Sequence, residues 1–100
     1  MVDLSLIVGF EWDEGNSLKS TTKHSVSQPE AEQIFADSKA LVAEDVKHSQ
    51  MEARYHAMGQ TVVGRLLHVT FTLRSGKSRI RVISARAMNR KERALYEQKA

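Results

Sequence analysis

Five arginines, Arg79, Arg81, Arg86, Arg90 and Arg93, crowd one short stretch near the end of this 100-residue chain. A guanidinium is a planar fork of N–H donors that meets phosphate oxygens two at a time, so this stretch suits a nucleic-acid backbone. A solvated strand face followed by an ordinary amphipathic helix would carry the same charges. Far upstream stands His24, whose imidazole titrates near neutral pH and can move a proton. Together these residue types match metal-free RNA cleavage, because RNA carries its own nucleophile in the 2′-hydroxyl. The protein must help remove that proton, stabilise charge on the phosphorane-like transition state and protonate the leaving oxygen. His24 has a plain alternative as a hydrogen-bonding residue at a helix end. His56 and His68 lie on strands and can share a polar surface, Tyr55 reads as packing, and Trp12 beside Phe10 reads as core, although an indole can stack on a base.

Charge is divided unevenly along the chain. Residues 1–53 hold four lysines against ten acids, and residues 54–100 hold eleven basic residues, including all eight arginines, against Glu92 and Glu97. The two parts therefore carry −6 and +9, which points to a polyanionic partner, nucleic acid before membrane. The chain has no cysteine, which excludes a disulfide framework, a thiolate zinc site and a thiol nucleophile. Its four histidines show no metal-ligand spacing, and glycine-rich phosphate loops, EF-hand loops and nucleophile elbows are missing, so neither metal nor cofactor is expected. No segment is apolar enough to span a bilayer and no secretory signal is expected, which suits a cytoplasmic protein. The length is that of one domain, residues 1–100, with one modest core.

The elements that would position these side chains follow from periodicity and capping. Leu6–Trp12 reads as a strand, and Asp13 as the N-cap of a polar helix running to Lys23. Ser27-Gln-Pro-Glu30 is a capping box opening a second helix, with Ala31, Ile34 and Phe35 on its packing face. A short strand follows in Lys39–Asp45, then a loop over Val46–Met51 and a strand over Arg54–Thr61, with a turn at Gly64. Leu66–Leu73 is the clearest strand, and Ser75-Gly76 turns it into the strand containing Ile80, Val82 and Ile83. Pairing Leu73 with Ser78 places Phe71 opposite Ile80 and Val69 opposite Val82 on one face, leaving His68, Thr70, Thr72, Arg79 and Arg81 on the other. Leu67, Val69, Phe71, Ile80 and Val82 are the expected core. Asn89 and Glu92 form another capping box, starting a terminal helix whose strong apolar residues are Ala94 and Leu95. The fold class is α+β: a twisted antiparallel sheet flanked by two N-terminal helices and a C-terminal helix.

The chain also resembles a known family. Phe10-Glu-Trp-Asp13, Asn16, Lys19, Lys23-His24 and Val26 resemble the opening of the BrnT toxin family. Arg54-Tyr55, Gly59 and Gly64-Arg65 fit its middle, and Ile83-Ser-Ala-Arg86 with Arg90-Lys-Glu-Arg93 and Tyr96-Glu97 fit its ending. The resemblance implies a RelE-like α+β ribonuclease that blocks translation and is neutralised by a BrnA-like antitoxin with a ribbon-helix-helix domain. Operator DNA would be reached only through that antitoxin. Carried over by position, Lys23, His24, Arg54, Arg65, Arg86 and Arg90 fall on the family's recurrent polar positions. With the strand arginines added, the expected catalytic set is Lys23, His24, Arg54 and Arg86, with Arg65, Arg79, Arg81 and Arg90 contacting RNA. Two positions depart from the family pattern: Ser25 where glycine usually follows the histidine, and Ser38 where proline often follows Asp37. A non-catalytic basic nucleic-acid-binding module, or a decayed toxin that only binds its antitoxin, is the alternative reading.

Overall fold

The computed structural model describes residues 4–13, 15, 25–48 and 52–99. Apolar–polar alternation through three long strands generates the centre of a five-stranded sheet: β3 (Arg54–Gln60), β4 (Leu66–Arg74) and β5 (Arg79–Ala87). β1 (Gly9–Glu11) and β2 (Leu41–Glu44) form its edges, in the order β1-β5-β4-β3-β2. β2 to β5 pair antiparallel, but β1 runs parallel to β5, so the sheet is mixed where the sequence suggests a purely antiparallel one. Three residues carry too little alternation to fix a direction. Burial fixes it instead, with Phe10 opposite Ile80 on the apolar face and Glu11 opposite Arg81 on the other. The strand is also shorter than Leu6–Trp12, because Leu4–Leu6 form a 3-10 turn.

One face of this sheet is the core. Leu67, Val69, Phe71, Ile80 and Val82 are all fully buried, as the alternation predicts. Helix α1 (Gln28–Gln33) covers them, and its capping box is complete: Ser27 Oγ accepts from the Glu30 amide and Glu30 Oε1 accepts from the Ser27 amide. α1 tightens into a 3-10 turn at Ile34–Ala36, which drives Ile34 into the core and sets Phe35 between Phe10 and Phe71 at 5.5 and 5.1 Å. Tyr55 stacks on Phe71 at 5.5 Å, so it is a packing residue. Trp12 packs against the same core and donates its indole N–H to Glu32 at 2.7 Å. Ile34 comes so close to β3 that a Cβ on Gly59 would stand 2.8 Å from its carbonyl oxygen.

Helix α2 (Arg90–Lys99) lies over the other face. Its buried anchor is Tyr96, where the sequence points to Ala94 and Leu95; Leu95 remains 42% exposed. The expected helix from Asp13 to Lys23 falls on residues mostly outside those described, as do Ser49–Met51 of the expected loop. Val46–His48 of that loop form a 3-10 turn. α1 and α2 are the α-helices whose bounds are defined among the described residues.

The β4–β5 hairpin corrects the predicted register. Leu73 pairs with Ile80 and Phe71 with Val82, two residues beyond the expected partners, and the turn spans Ser75–Ser78. Ser75, Gly76 and Lys77 all have positive φ, a run that alternation in the flanking strands does not foretell. A slip of two leaves every side chain on its predicted face, whereas a slip of one would invert them. Further along, the register shifts between Thr70 and Phe71, leaving Ile83 as an extra residue in β5. Val82 and Ala85 are both buried although they are three apart, the mark of a bulge. Strict alternation from Ile80 would send Arg86 into the core; the bulge returns it to the polar face, opposite His68.

Candidate nucleic-acid interface

Three long cross-strand rows make up most of the polar face, with the shorter row Arg74–Arg79–Gly9 at one end. The first runs Arg54–Thr72–Arg81–Glu11, the second Ala43–His56–Thr70–Ser84, and the third Leu41–Met58–His68–Arg86. Arg54 and Arg81 therefore flank Thr72, roughly 10 Å apart by strand spacing. Arg79 and Arg86 lie at opposite ends of β5, about 23 Å apart at the usual rise. The basic residues thus form a strip along β5 and not a single pocket. No one phosphate can reach both ends.

At the first row Arg81 Nη1 lies 2.8 Å from Asp13 and 3.6 Å from Glu11. The hydrogen bond to Asp13 raises its pKa above the ordinary arginine value. Arg74 pairs with Glu52 at 2.9 Å. Arg79 is exposed and, among the described residues, has no ion-pair partner.

The third row is closed by α2. Glu92 accepts from both ends of the Arg86 guanidinium, at 2.7 and 2.8 Å, and exchanges capping-box hydrogen bonds with Asn89. The Arg86 fork, opposed first by burial and helped by the Asn89 amide, holds the Glu92 carboxyl at about 2, well below its ordinary 4.5. The same bond raises the Arg86 pKa. His68 Nε2 is 3.5 Å from the second Glu92 oxygen, and burial lowers its pKa below 6.5 even against that carboxylate, so the ring is neutral at pH 7. The residues Glu92, Leu95, Tyr96 and Lys99 fall on one helical face by their spacing. Tyr96 Oη donates to Asp37 at 2.5 Å; burial and that carboxylate push the phenol up to about 12.

Between these rows His56 joins the two sides. Its Nε2 lies 2.9 Å from Asp45, its Nδ1 3.0 Å from Thr70 Oγ1, and its ring 4.9 Å from that of His68. Asp45 also meets His48 Nδ1 at 2.8 Å. Burial raises the Asp45 carboxyl, but hydrogen bonds from both histidines outweigh it and hold the pKa low. His56 and His68 thus share a polar surface as their strand positions predict.

Arg65 stands apart from this face. Its Nη1 donates to the Ser25 carbonyl at 2.8 Å and to Glu30 at 3.0 Å, tying the β3–β4 turn to the residue that follows His24. Ser25 has φ +55, in the left-handed region, so the position where the resembled family carries glycine is one whose backbone favours glycine.

A family model described as the ribonuclease toxin, BrnT, of type II toxin–antitoxin systems matches residues 12–92. The chain belongs to that family. The crystal structure of the Brucella abortus ribonuclease toxin BrnT matches with a TM-score of 0.56 at 23% identity, covering 82% of this chain and 97% of the other. That likeness supports the shared α+β fold. No curated relative matches the chain. Family membership makes the protein a ribonuclease toxin whose partner is an antitoxin. No helix among the described residues is long and apolar enough to cross a membrane.

Of the residues singled out in the sequence, the structure gathers Arg54, Arg79 and Arg81 near one end of the polar face and sets Arg86 at the other. Arg90 is exposed at the start of α2. Lys23 and His24 lie outside the described residues, with Ser25 next to them held by Arg65. Sequence reasoning saw Glu92 as a cap and missed it as the partner of Arg86. It also missed Asp45 beneath His48 and His56, and Tyr96 on Asp37. The helical spacing of Glu92, Leu95, Tyr96 and Lys99 is the signal that was available for two of these.

Proposed function

We propose that this toxin is a RelE-like endoribonuclease that cleaves RNA without a metal and so blocks translation in the cytoplasm. The observation that carries the reading is the family match across residues 12–92, combined with a polar sheet face whose strands carry Arg54, Arg74, Arg79, Arg81 and Arg86 against one acid, Glu11. Lys23 and His24 are the proton-transfer and charge-stabilising groups, and Arg54 and Arg86 meet the scissile phosphate and its neighbour. Arg79 and Arg90, exposed and without ion-pair partners among the described residues, make the first phosphate contacts. Arg81 exchanges Asp13 for phosphate when RNA binds. Arg65 contacts RNA with the part of its guanidinium that Ser25 and Glu30 leave open. Charge-assisted arginine–phosphate bonds of this kind stabilise the developing negative charge more than the ground state.

A BrnA-like ribbon-helix-helix antitoxin neutralises the toxin by covering the face of Arg54, Arg81 and Arg86, and only that partner contacts operator DNA. Oppositely charged surfaces mainly speed association, and apolar anchors supply most of the affinity. The test is RNA degradation by the purified protein in EDTA. Arg86→Ala should lower the rate by about a hundredfold, in line with loss of one transition-state donor, while the protein stays folded. Salt-sensitive binding with no cleavage product would instead support a non-catalytic nucleic-acid-binding protein.

A further inference from the structure

The third row of the polar face ends in a cleft of about 400 Å³ between the sheet and α2. Leu41 and Met58 form its floor with the contacting rings of His56 and His68, and Leu95 and Glu92 form its wall. The lining is mostly apolar, with a few polar atoms at one side, which is the make-up of a site for a flat organic ligand. Arg86 is one carboxylate away, since Glu92 both lines the cleft and chelates that guanidinium.

We infer that this cleft seats one nucleobase of the RNA substrate, with the adjoining phosphate at Arg86. The inference rests on the ribonuclease reading above and adds a base-specific subsite to it. Single-stranded RNA is read by bases splayed out of the strand onto aromatic rings, and imidazoles serve as such platforms. An apolar side chain from a protein partner would fit the floor but would cover the Glu92 oxygen and the His68 nitrogen without giving either a hydrogen bond, a costly arrangement. A base offers both a flat apolar face and a polar edge. Lys99 also lines the cleft and suits an acceptor, so it is the edge turned to Glu92 that must bring a donor, because that carboxylate is ionised and accepts only. Oε1 already receives Arg86 and the Asn89 amide, while Oε2 receives Arg86 alone at hydrogen-bonding distance, with His68 farther off at 3.5 Å. Oε2 therefore has room for one more donor. The exocyclic amines of adenine, cytosine and guanine supply it. Uracil presents its one edge N–H between two carbonyl oxygens, which the carboxylate repels.

Titration with the four ribonucleoside 3′-monophosphates tests this. The wild-type protein should bind the adenosine, cytidine and guanosine forms and hold the uridine form at least fivefold more weakly. Ala43→Phe places a ring in the cleft from the open edge strand and should weaken binding of the three by more than tenfold. Leu95→Ala, at a half-exposed position that the fold tolerates, should weaken it three- to tenfold by removing one wall. Binding that both variants leave unchanged, or uridine bound as tightly as the rest, overturns the inference. So does a wild-type protein that binds none of the four while Ala43→Phe abolishes neutralisation by the antitoxin, because the cleft is then a protein-docking site. Cleavage assayed on the same preparations separates the two readings. RNA cleavage with no mononucleotide binding sinks the base subsite alone, and base binding without cleavage sinks the ribonuclease reading alone.

Discussion

The two ends of β5 present arginines to the same face of the sheet in opposite ways. At the near end Arg79 is exposed, and Arg81, itself partly buried, shares its charge with the solvent-accessible carboxylates of Asp13 and Glu11 in the β1 region. At the far end Arg86 is roofed by α2 and gripped by both oxygens of Glu92. Solvent reaches the Asp13 and Glu11 carboxylates, 55% and 38% exposed, so these ion pairs are worth little in stability and remain exchangeable for phosphate. The second is a fixed fork in a half-buried setting, oriented before any ligand arrives. An open end collects the polyanion and a roofed end positions it. One strand supplies both because of the extra residue at Ile83.

Moving the Arg86 charge by one position should break the comparison outright. Exchanging the neighbours, Ala85→Arg with Arg86→Ala, turns the guanidinium toward the core and away from Glu92, because Ala85 is fully buried. A buried guanidinium without its partner costs on the order of 3–5 kcal/mol, a large part of the stability of a small domain. The expected outcome is loss of the cooperative urea transition. Deleting Ile83 removes the bulge but keeps Ala85 inward and Arg86 outward, so it should retain that transition with a lower midpoint. If the exchange variant unfolds like the wild type, the face of β5 is not what places Arg86.

Much of this contrast was legible in the sequence, and the missing parts have physical causes. The two faces of β4 and β5 follow from period-two alternation, and the capping boxes at Ser27 and Asn89 follow from local chemistry. The exact partner of Phe71 does not, because a slip of two changes no face and only the three positive-φ residues of the turn decide it. The bulge is silent for a similar reason: Val82-Ile83 reads as continuous β-branched strand, and only burial of Ala85 reveals the change of phase. Long-range partnerships such as Tyr96 with Asp37, or His56 with Asp45, join residues far apart in sequence whose pairing depends on the sheet order. On the site, the arginines were readable as a basic set. Their division into an open and a roofed end was not, since Arg79 and Arg86 look alike until α2 is placed.

Acid should sharpen the comparison by loosening one end before the other. Glu92 has a folded pKa of about 2 against an ordinary 4.5. A depressed carboxyl contributes stability that is fully present above the ordinary value and is lost as pH falls from about 4.5 toward 2. The drop corresponds to on the order of 2–3 kcal/mol after allowing for its partial exposure. His68 acts in the same direction, because its ring is kept neutral and must be protonated as pH falls below its ordinary 6.5. Urea midpoints of wild type and Glu92→Gln should therefore differ most near pH 7 and converge toward pH 2–3. A constant difference across that range would mean that the carboxylate charge does not hold the roof in place.

The smallest expected effect lies outside both ends, at the segment that carries His24. Ser25 adopts φ +55, and its carbonyl is held by Arg65 at 2.8 Å. For a residue with a Cβ the left-handed region costs roughly 1 kcal/mol, whereas glycine enters it freely but loses more entropy on folding. Ser25→Gly should thus stabilise the protein by only a few tenths of a kcal/mol, and Ser25→Ala should change it little, since alanine meets the same steric cost. The Arg65 bond uses the backbone carbonyl and survives both changes. If Arg65 already fixes the backbone beside His24, relieving the strain has little left to improve and the cleavage rate should change less than twofold in Ser25→Gly. A large rise in cleavage or toxicity with glycine would show the opposite: that Ser25 holds His24 away from its working position, and that this chain is a weakened copy of an active toxin.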